Sequence, residues 1–180
     1  MEEKEILQKM IVDSLNTLYE KDQYLIWNCK SGSENHVGER AIMFRFGIYF
    51  DALARMQFPE YHVDSEYDRN LSNRKVLPLW ENGCRPDLIL HKRGKNSENL
   101  LAIEAKTWWN PNQSEDKLKI KQFCDPCGEY QYKYGALIFI GRKRKSARIA
   151  FYIADTEGIL CLDTPSPTTK TPSSNSSKSS

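Results

Sequence analysis

Apolar side chains recur at helical spacing in two N-terminal segments, residues 2–20 and 37–58. In the second segment, the positions that share one face of a 3.6-residue period are Ile42, Met43, Phe46, Phe50 and Leu53. The spacing predicts two amphipathic helices. The first is an N-terminal helical extension, and the second is the main packing helix.

After residue 58 the pattern changes to short apolar runs separated by turn-rich segments. It predicts five strands, at 62–69, 85–91, 100–106, 135–140 and 147–154, and one short helix at 115–123. Ser114 is the expected N-cap of that helix and Leu118 its buried side chain, whereas Lys117, Lys119 and Lys121 are expected to point outward. The order of elements indicates an α/β or α+β domain with a sheet flanked by helices.

The strands at 85–91 and 100–106 flank a polar loop and are typical of a β-hairpin. A register symmetric about that loop gives three facing pairs: His91 with Leu100, Ile89 with Ala102, and Asp87 with Glu104. Lys106 follows two residues after Glu104 and therefore shares its face. The opposite face is apolar, so we expect it to pack on the core.

Asp87 and Glu104 would repel each other across the hairpin unless a positive charge lay between them. Mg²⁺ is a hard ion that binds one or two carboxylates while keeping several waters. A nearby lysine such as Lys106 can orient a water or offset charge that develops on a phosphate. The three side chains therefore indicate metal-assisted hydrolysis of phosphodiesters.

Three further acids admit two interpretations each. Glu39 lies at the head of the apolar stripe of the second helix, so it either points toward the body of the protein or complements the helix N-terminus. Asp64 and Glu66 alternate along the strand at 62–69, and they either face solvent or join Asp87 and Glu104 in one acidic cluster. Spacing alone leaves these alternatives open.

Four consecutive basic residues, 142–145, follow the strand at 135–140. A phosphate backbone would relieve their mutual repulsion, and a plain exposed turn is the alternative. One of the two adjacent tryptophans either stacks on a base or covers the sheet edge. The predicted nucleic-acid contacts are Arg142, Lys143, Arg144, Lys145, Arg148 and Trp108.

The composition, 39% hydrophobic and 11% aromatic, fits a single globular domain at 1–163. The net charge of +2 comes from Lys170 and Lys178, in a Ser/Thr/Pro-rich tail at 164–180 that we predict to be disordered. A nucleic-acid surface must therefore be a local patch. Apolar runs are too short for a membrane span and the N-terminus is acidic, so we expect a cytoplasmic protein.

Pro86-Asp87, followed by Glu104-Ala105-Lys106, resembles the PD-(D/E)xK signature of the restriction-endonuclease-like nuclease superfamily. Blocks at 38–50, 63–69, 85–94 and 99–106 resemble successive blocks of a group of small, poorly characterised bacterial members. The resemblance covers residues 35–140 and implies a mixed sheet of four to five strands sandwiched by helices.

The resemblance also implies roles for individual residues. Asp87, Glu104 and the backbone carbonyl of Ala105 would hold Mg²⁺, for which Mn²⁺ could substitute. Lys106 would position the attacking water or stabilise the pentavalent phosphate. Glu39 would complete the site, through water or a second metal.

The expected function is thus a Mg²⁺-dependent nuclease that acts on DNA. The alternative is a non-catalytic nucleic-acid-binding or assembly subunit that retains the nuclease fold. Many superfamily members carry a further Gln or Lys, for which Gln122 is the candidate here. We recognise no separate module that would read a base sequence. Specificity would therefore need a homodimer or a larger complex, for example in phage defence or repair.

Overall fold

The computed structural model describes residues 2–27, 36–155 and 158–163. Its α-helices are α1 (Glu3–Ile26), α2 (Glu39–Gln57) and α3 (Ser114–Phe123). Its strands are β1 (His62–Ser65), β2 (Arg69–Asn70), β3 (Asn73–Arg74), β4 (Leu88–His91), β5 (Asn99–Thr107), β6 (Tyr134–Ile140), β7 (Arg148–Asp155) and β8 (Gly158–Asp163). The predicted tail at 164–180 lies outside the described residues, so its disorder stays a prediction.

The main sheet has the strand order β1–β4–β5–β6–β7–β8, and β2 and β3 form a separate two-stranded ribbon. Only β5 and β6 are parallel in this sheet, and the other neighbours are antiparallel. A parallel connection needs a crossover, which α3 provides. The five predicted strands correspond to β1, β4, β5, β6 and β7, while β8 adds an edge strand that was not predicted.

The sheet carries helices on both faces. On one face, α1 and α2 pack on Leu88, Leu90, Leu101, Ile103 and Ala105, as the hairpin pattern predicted. On the other face, α3 and the loop after it pack on Ile89 and Ala102. The α+β class is therefore confirmed, and the finer restriction-endonuclease-like core stays a prediction. Because strand residues alternate between faces, Glu104 and Lys106 belong to the α3 side.

The observed hairpin register agrees with the predicted one near the site and departs from it at the loop. Ile89 pairs with Ala102 as predicted. The pairing of His91 with Leu100 is wrong, because a β-bulge after Leu90 moves His91 opposite Asn99. The bulge lies at the loop end of the hairpin, so it leaves the geometry at Asp87 unchanged.

Two other element predictions need correction. The strand predicted at 62–69 ends at Ser65, because Glu66 adopts a positive φ of 52° and leaves the extended conformation. The first helix runs on to Ile26, beyond the predicted end at residue 20. Neither change alters which elements surround the sheet.

The short helix α3 is rotated relative to its predicted orientation. Leu118, expected to be buried, is 38% exposed, whereas Asp116, Ile120 and Phe123 are buried. Lys119, expected to point outward, contacts Glu104 on the strand beneath the helix and Asp116 on the helix itself. The helix therefore presents a polar pair as well as apolar side chains to the sheet. Within the part of the chain that the structure describes, no helix combines the length and apolar character needed to cross a bilayer.

Candidate functional site

Asp87 lies immediately before β4, at the end of the hairpin remote from its loop. Its Oδ2 accepts a hydrogen bond of 2.7 Å from the backbone N–H of Ala105. The N–H and C=O of one strand residue leave the strand on the same edge, so the Ala105 carbonyl also lies on the Asp87 side of β5. The structure thus brings the predicted metal-ligand oxygens of Asp87 and Ala105 to one edge of the strand, beside Glu104.

Lys106 connects that edge to the N-terminus of α2. Its Nζ lies 3.3 Å from Glu39 Oε1, and Thr107 Oγ1 donates to Glu39 Oε2 at 3.4 Å. Glu39 is the first residue of α2, so it both lies at the helix N-terminus and points into the site. The two interpretations of Glu39 are therefore compatible.

Two residues of α3, Asp116 and Lys119, complete the cluster and were not predicted. Asp116 Oδ2 lies 3.3 Å from the Nζ of Lys106. Lys119 Nζ lies 3.4 Å from Glu104 Oε2 and 3.5 Å from Asp116 Oδ1. The i, i+3 spacing of these two residues, in phase with the buried Ile120 and Phe123, is a signal that could have identified them.

Gln122, the candidate for the further Gln or Lys of the superfamily site, lies on the same helix but outside the cluster. It lines a separate cavity of about 410 Å³, together with Leu77 and Tyr130. Asp116 and Lys119, and not Gln122, are therefore the residues by which α3 takes part in the site.

The two strand carboxyl groups are hard to ionise. Burial raises the pKa of Asp87 to about 6, and the Glu39 carboxylate adds to this effect, against the opposing influence of the Ala105 N–H. Burial and the neighbouring Asp87 hold the pKa of Glu104 well above its ordinary value. Glu104 is 1% exposed, whereas Asp87 is half-buried. Such coupled acids are typical of functional sites.

The two lysines of the cluster remain cationic. Burial is the largest influence on the pKa of Lys106 and favours the neutral amine, but the carboxylates of Asp116 and Glu39 together raise that pKa. The same balance holds for Lys119, where Glu104 and Asp116 outweigh burial and raise the pKa. The ammonium groups thus partly neutralise the acids.

The donor set fits a hard divalent cation in part. Glu104 Oε1 is buried and has no hydrogen-bond partner among the described residues, so it could accept a cation. Across the described ranges, no three His, Cys, Asp or Glu side chains converge as a ready-made ligand set. Asp87, Glu104 and the Ala105 carbonyl would supply an incomplete oxygen shell, which suits Mg²⁺ because it retains water ligands.

Asp64 and Glu66 do not join the cluster. Asp64 contacts Arg93 at 2.5 Å and the buried His91 at 2.8 Å. Glu66 contacts Arg40 at 3.0 Å and Arg85 at 3.6 Å. Their charges are matched by these partners, and the interpretation that added them to the acidic cluster is therefore wrong.

The basic run lies at the turn between β6 and β7, and its side chains differ in environment. Lys143 and Lys145 are exposed. Arg144 turns toward α1, where its Nε donates to Asn16 Oδ1 at 2.6 Å. Arg148 is exposed but donates to the backbone carbonyls of Lys145 and Ala147. Contact of this run with nucleic acid stays a prediction.

Trp108 lies close to the site in sequence but is already packed. The Arg142 guanidinium lies 4.1 Å from the centroid of its ring, and its Nε1 donates to the Ile26 carbonyl at 3.3 Å. One face of this ring is thus covered by an arginine of the protein, and stacking of Trp108 on a base stays a prediction. Trp109 stacks on His36, with ring centroids 3.8 Å apart.

Comparison of the sequence with models of known protein families and with curated proteins finds no significant match.

Proposed function

We propose that the protein is a cytoplasmic, divalent-metal-dependent nuclease that hydrolyses phosphodiester bonds, with DNA as the preferred substrate. The observation that carries the proposal is the position of Lys106. Lys106 lies on the same strand as Glu104, and its ammonium is 3.3 Å from both Glu39 and Asp116. A lysine held beside several carboxylates, at the open end of a hairpin, is an arrangement suited to phosphate chemistry.

Each residue has a distinct role in this proposal. Asp87, Glu104 and the Ala105 carbonyl would hold Mg²⁺ or Mn²⁺, which supplies Lewis-acid polarisation of the phosphate when bound. Lys106 offsets the charge that develops on the phosphate oxygens and orients the attacking water. Glu39 keeps the Lys106 ammonium in place and accepts a hydrogen bond from that water.

A second candidate function follows from the burial of Glu104. Glu104 is 1% exposed and its charge is matched internally by Lys119. A subunit that retains the nuclease fold only for binding or assembly needs no accessible metal ligand, because a fold does not by itself imply a function. In either function, we propose that sequence specificity would come from a homodimer or a larger complex.

Cleavage assays distinguish the two functions. The protein is incubated with supercoiled plasmid, duplex DNA, single-stranded DNA and RNA, in Mg²⁺, Mn²⁺ or EDTA. A nuclease cleaves at least one substrate in metal only. Its rate should fall about 100-fold or more in Lys106→Met, because an interaction with the developing charge is lost.

The matched control is Lys121→Met, which removes an exposed lysine from α3. We expect it to cleave at the wild-type rate, while Asp87→Asn loses activity and retains the wild-type circular dichroism spectrum. Binding of nucleic acid without cleavage of any substrate, in Mg²⁺ or in Mn²⁺, would refute the nuclease function and support the binding subunit.

A further inference from the structure

Lys119 occupies the position between the two most buried acids of the cluster. Its ammonium lies 3.4 Å from Glu104 and 3.5 Å from Asp116, and each of those side chains is only 2% exposed. The Trp80 ring lies above the same ammonium, 6.0 Å from Nζ to ring centroid. Lys119 therefore covers Glu104 from the α3 side.

The contact leaves the acids incompletely satisfied. Glu104 Oε1 is buried and accepts no hydrogen bond within the described residues, and the buried Asp116 Oδ2 has an ion pair of 3.3 Å with Lys106 but no well-aligned hydrogen bond there. One ammonium carries one positive charge and three donors on a flexible stem, and it is strongly hydrated when free. A divalent cation would supply twice the charge to the same oxygens, and Lys119 could then move into water.

We propose that Lys119 is an internal counter-ion that competes with a divalent cation for Glu104, so that metal binding releases Lys119 from the site. This inference rests on the proposed function, because it needs the metal to bind at Asp87 and Glu104. It adds a regulatory feature: the metal-free site is held closed by the protein's own lysine.

The same role does not extend to Lys106. Lys106 contacts Glu39 and Asp116, whereas Lys119 contacts the proposed metal ligand Glu104 as well as Asp116. A cation between Asp87 and Glu104 would therefore displace Lys119 and leave the Lys106 contacts intact. The two lysines are expected to respond differently to metal.

Amine labelling provides a readout that does not depend on cleavage. The full-length protein is treated briefly with an acetylating reagent, with or without Mn²⁺, and modification of each lysine is measured by mass spectrometry. We expect Mn²⁺ to raise labelling of Lys119 about 5-fold or more, because its ammonium leaves a partly buried contact. The exposed Lys117 and Lys121 are internal references and should not change. Asp87→Asn should abolish the response of Lys119.

Metal affinity provides a second, independent measurement. In Lys119→Met, calorimetric titration with Mn²⁺ should give a dissociation constant about 10-fold lower than in the wild type, because the competitor is gone. Lys119→Arg, which retains the charge, should stay near the wild type. Lys117→Met removes a charge from the exposed face of the same helix and should change the constant less than twofold.

The outcomes separate this inference from the proposed function. If the wild type binds Mn²⁺ through Asp87, but Lys119 labelling and the affinity of Lys119→Met are unchanged, the competition is refuted and the metal site stands. If only Lys119→Met binds Mn²⁺, the inference is supported in its strongest form. If neither protein responds to metal, both the proposed metal site and the competition are wrong.

Discussion

Asp87 and Ala105 are joined across the open end of the β4–β5 hairpin by a hydrogen bond of 2.7 Å between the carboxylate Oδ2 and the backbone N–H. The bond favours the ionised carboxylate. Burial and the nearby Glu39 nevertheless outweigh it and raise the pKa of Asp87 to about 6. At neutral pH the protein therefore holds a charge that its own fold disfavours, a conflict expected at a functional site.

This conflict predicts that Asp87→Asn stabilises the metal-free protein. The pKa of Asp87 is raised from 3.8 to about 6 in the folded protein. The protonated side chain therefore contributes its full stabilisation of the fold below pH 3.8, and this contribution is lost as the pH rises through about 6. The amide oxygen of Asn can still accept from Ala105. At neutral pH in EDTA, urea denaturation should show a gain in unfolding free energy of about 2 kcal/mol.

The control for this prediction is Asp125→Asn. Asp125 is exposed, and its Oδ1 accepts a hydrogen bond of 2.9 Å from the backbone N–H of Cys127. The substitution therefore removes a carboxylate charge that makes the same kind of hydrogen bond as Asp87 but is exposed to solvent. Its effect should stay within about 0.5 kcal/mol. A loss of stability in Asp87→Asn at neutral pH would mean that the Asp87 charge is favourable, which contradicts the burial argument.

A second prediction concerns the pH dependence of metal binding. A carboxyl group binds Mg²⁺ or Mn²⁺ in its ionised form, and Asp87 loses that form as pH falls through about 6. The rise in melting temperature caused by Mn²⁺ should therefore decline between neutral pH and about pH 5. Thermal denaturation with Mn²⁺ and with EDTA over this range measures the decline. Persistence of the full effect to about pH 4 would indicate ligands with ordinary pKa values.

The strand half of the site could be predicted from sequence because strand geometry is local. Residues opposite each other in a hairpin share a face, so the register fixed by Ile89 and Ala102 brings Asp87 and Glu104 to one side. The two-residue step to Lys106 follows from the same alternation. The bulge at His91 escaped prediction, but it lies beyond the part of the hairpin that carries the acids.

The helical half of the site depends on contacts between residues far apart in sequence. Hydrophobicity alone predicts that Leu118 faces the sheet, but ion pairs from Asp116 and Lys119 to the strand residues accompany a different rotation of α3. A run of basic residues likewise does not show that Arg144 turns inward. Its partner Asn16 lies on the N-terminal helix, and no local pattern links the two.

A third prediction concerns Lys75, which lies outside the candidate site. Lys75 is 2% exposed, donates to Tyr132 Oη at 3.1 Å, and its ammonium lies within 6 Å of several ring centroids. Burial lowers the pKa of Lys75 to about 8, against smaller opposing effects of Cys84 and Asp64. The buried ammonium therefore costs stability at neutral pH.

Between pH 8 and 10.5 the unfolded chain holds the Lys75 proton more tightly than the folded protein does. Stability of the wild type relative to Lys75→Met should therefore rise with pH across this window, by up to about 3 kcal/mol. Urea denaturation of both proteins at several pH values measures the difference, and effects of other groups common to both proteins largely cancel. A difference independent of pH would mean that Lys75 keeps an ordinary pKa in the fold.

The last prediction tests how α3 is held over the sheet. Gly135 in β6 lies directly beneath this helix, and a Cβ added there would lie 2.6 Å from Ile120 Cγ2 and 2.9 Å from Cys124 Sγ. Gly135→Ala should therefore push α3 outward and reduce the free energy of unfolding by about 1–3 kcal/mol. Because Lys119 precedes Ile120, the push should also loosen its contact with Glu104 and raise its acetylation in metal-free protein.

Gly47→Ala is the matched control, because Gly47 lies in α2 on the opposite face of the sheet, where an added Cβ would meet Leu88 Cδ1 at 3.1 Å. That atom is the end of a side chain and can shift, and alanine favours the helix by about 1 kcal/mol over glycine. We therefore expect little change in stability and none in Lys119 labelling. If both variants raised Lys119 labelling equally, general loosening of the fold would explain the exposure. A rise in Gly135→Ala alone would show that the close approach of α3 to β6 keeps the lysine on the acid.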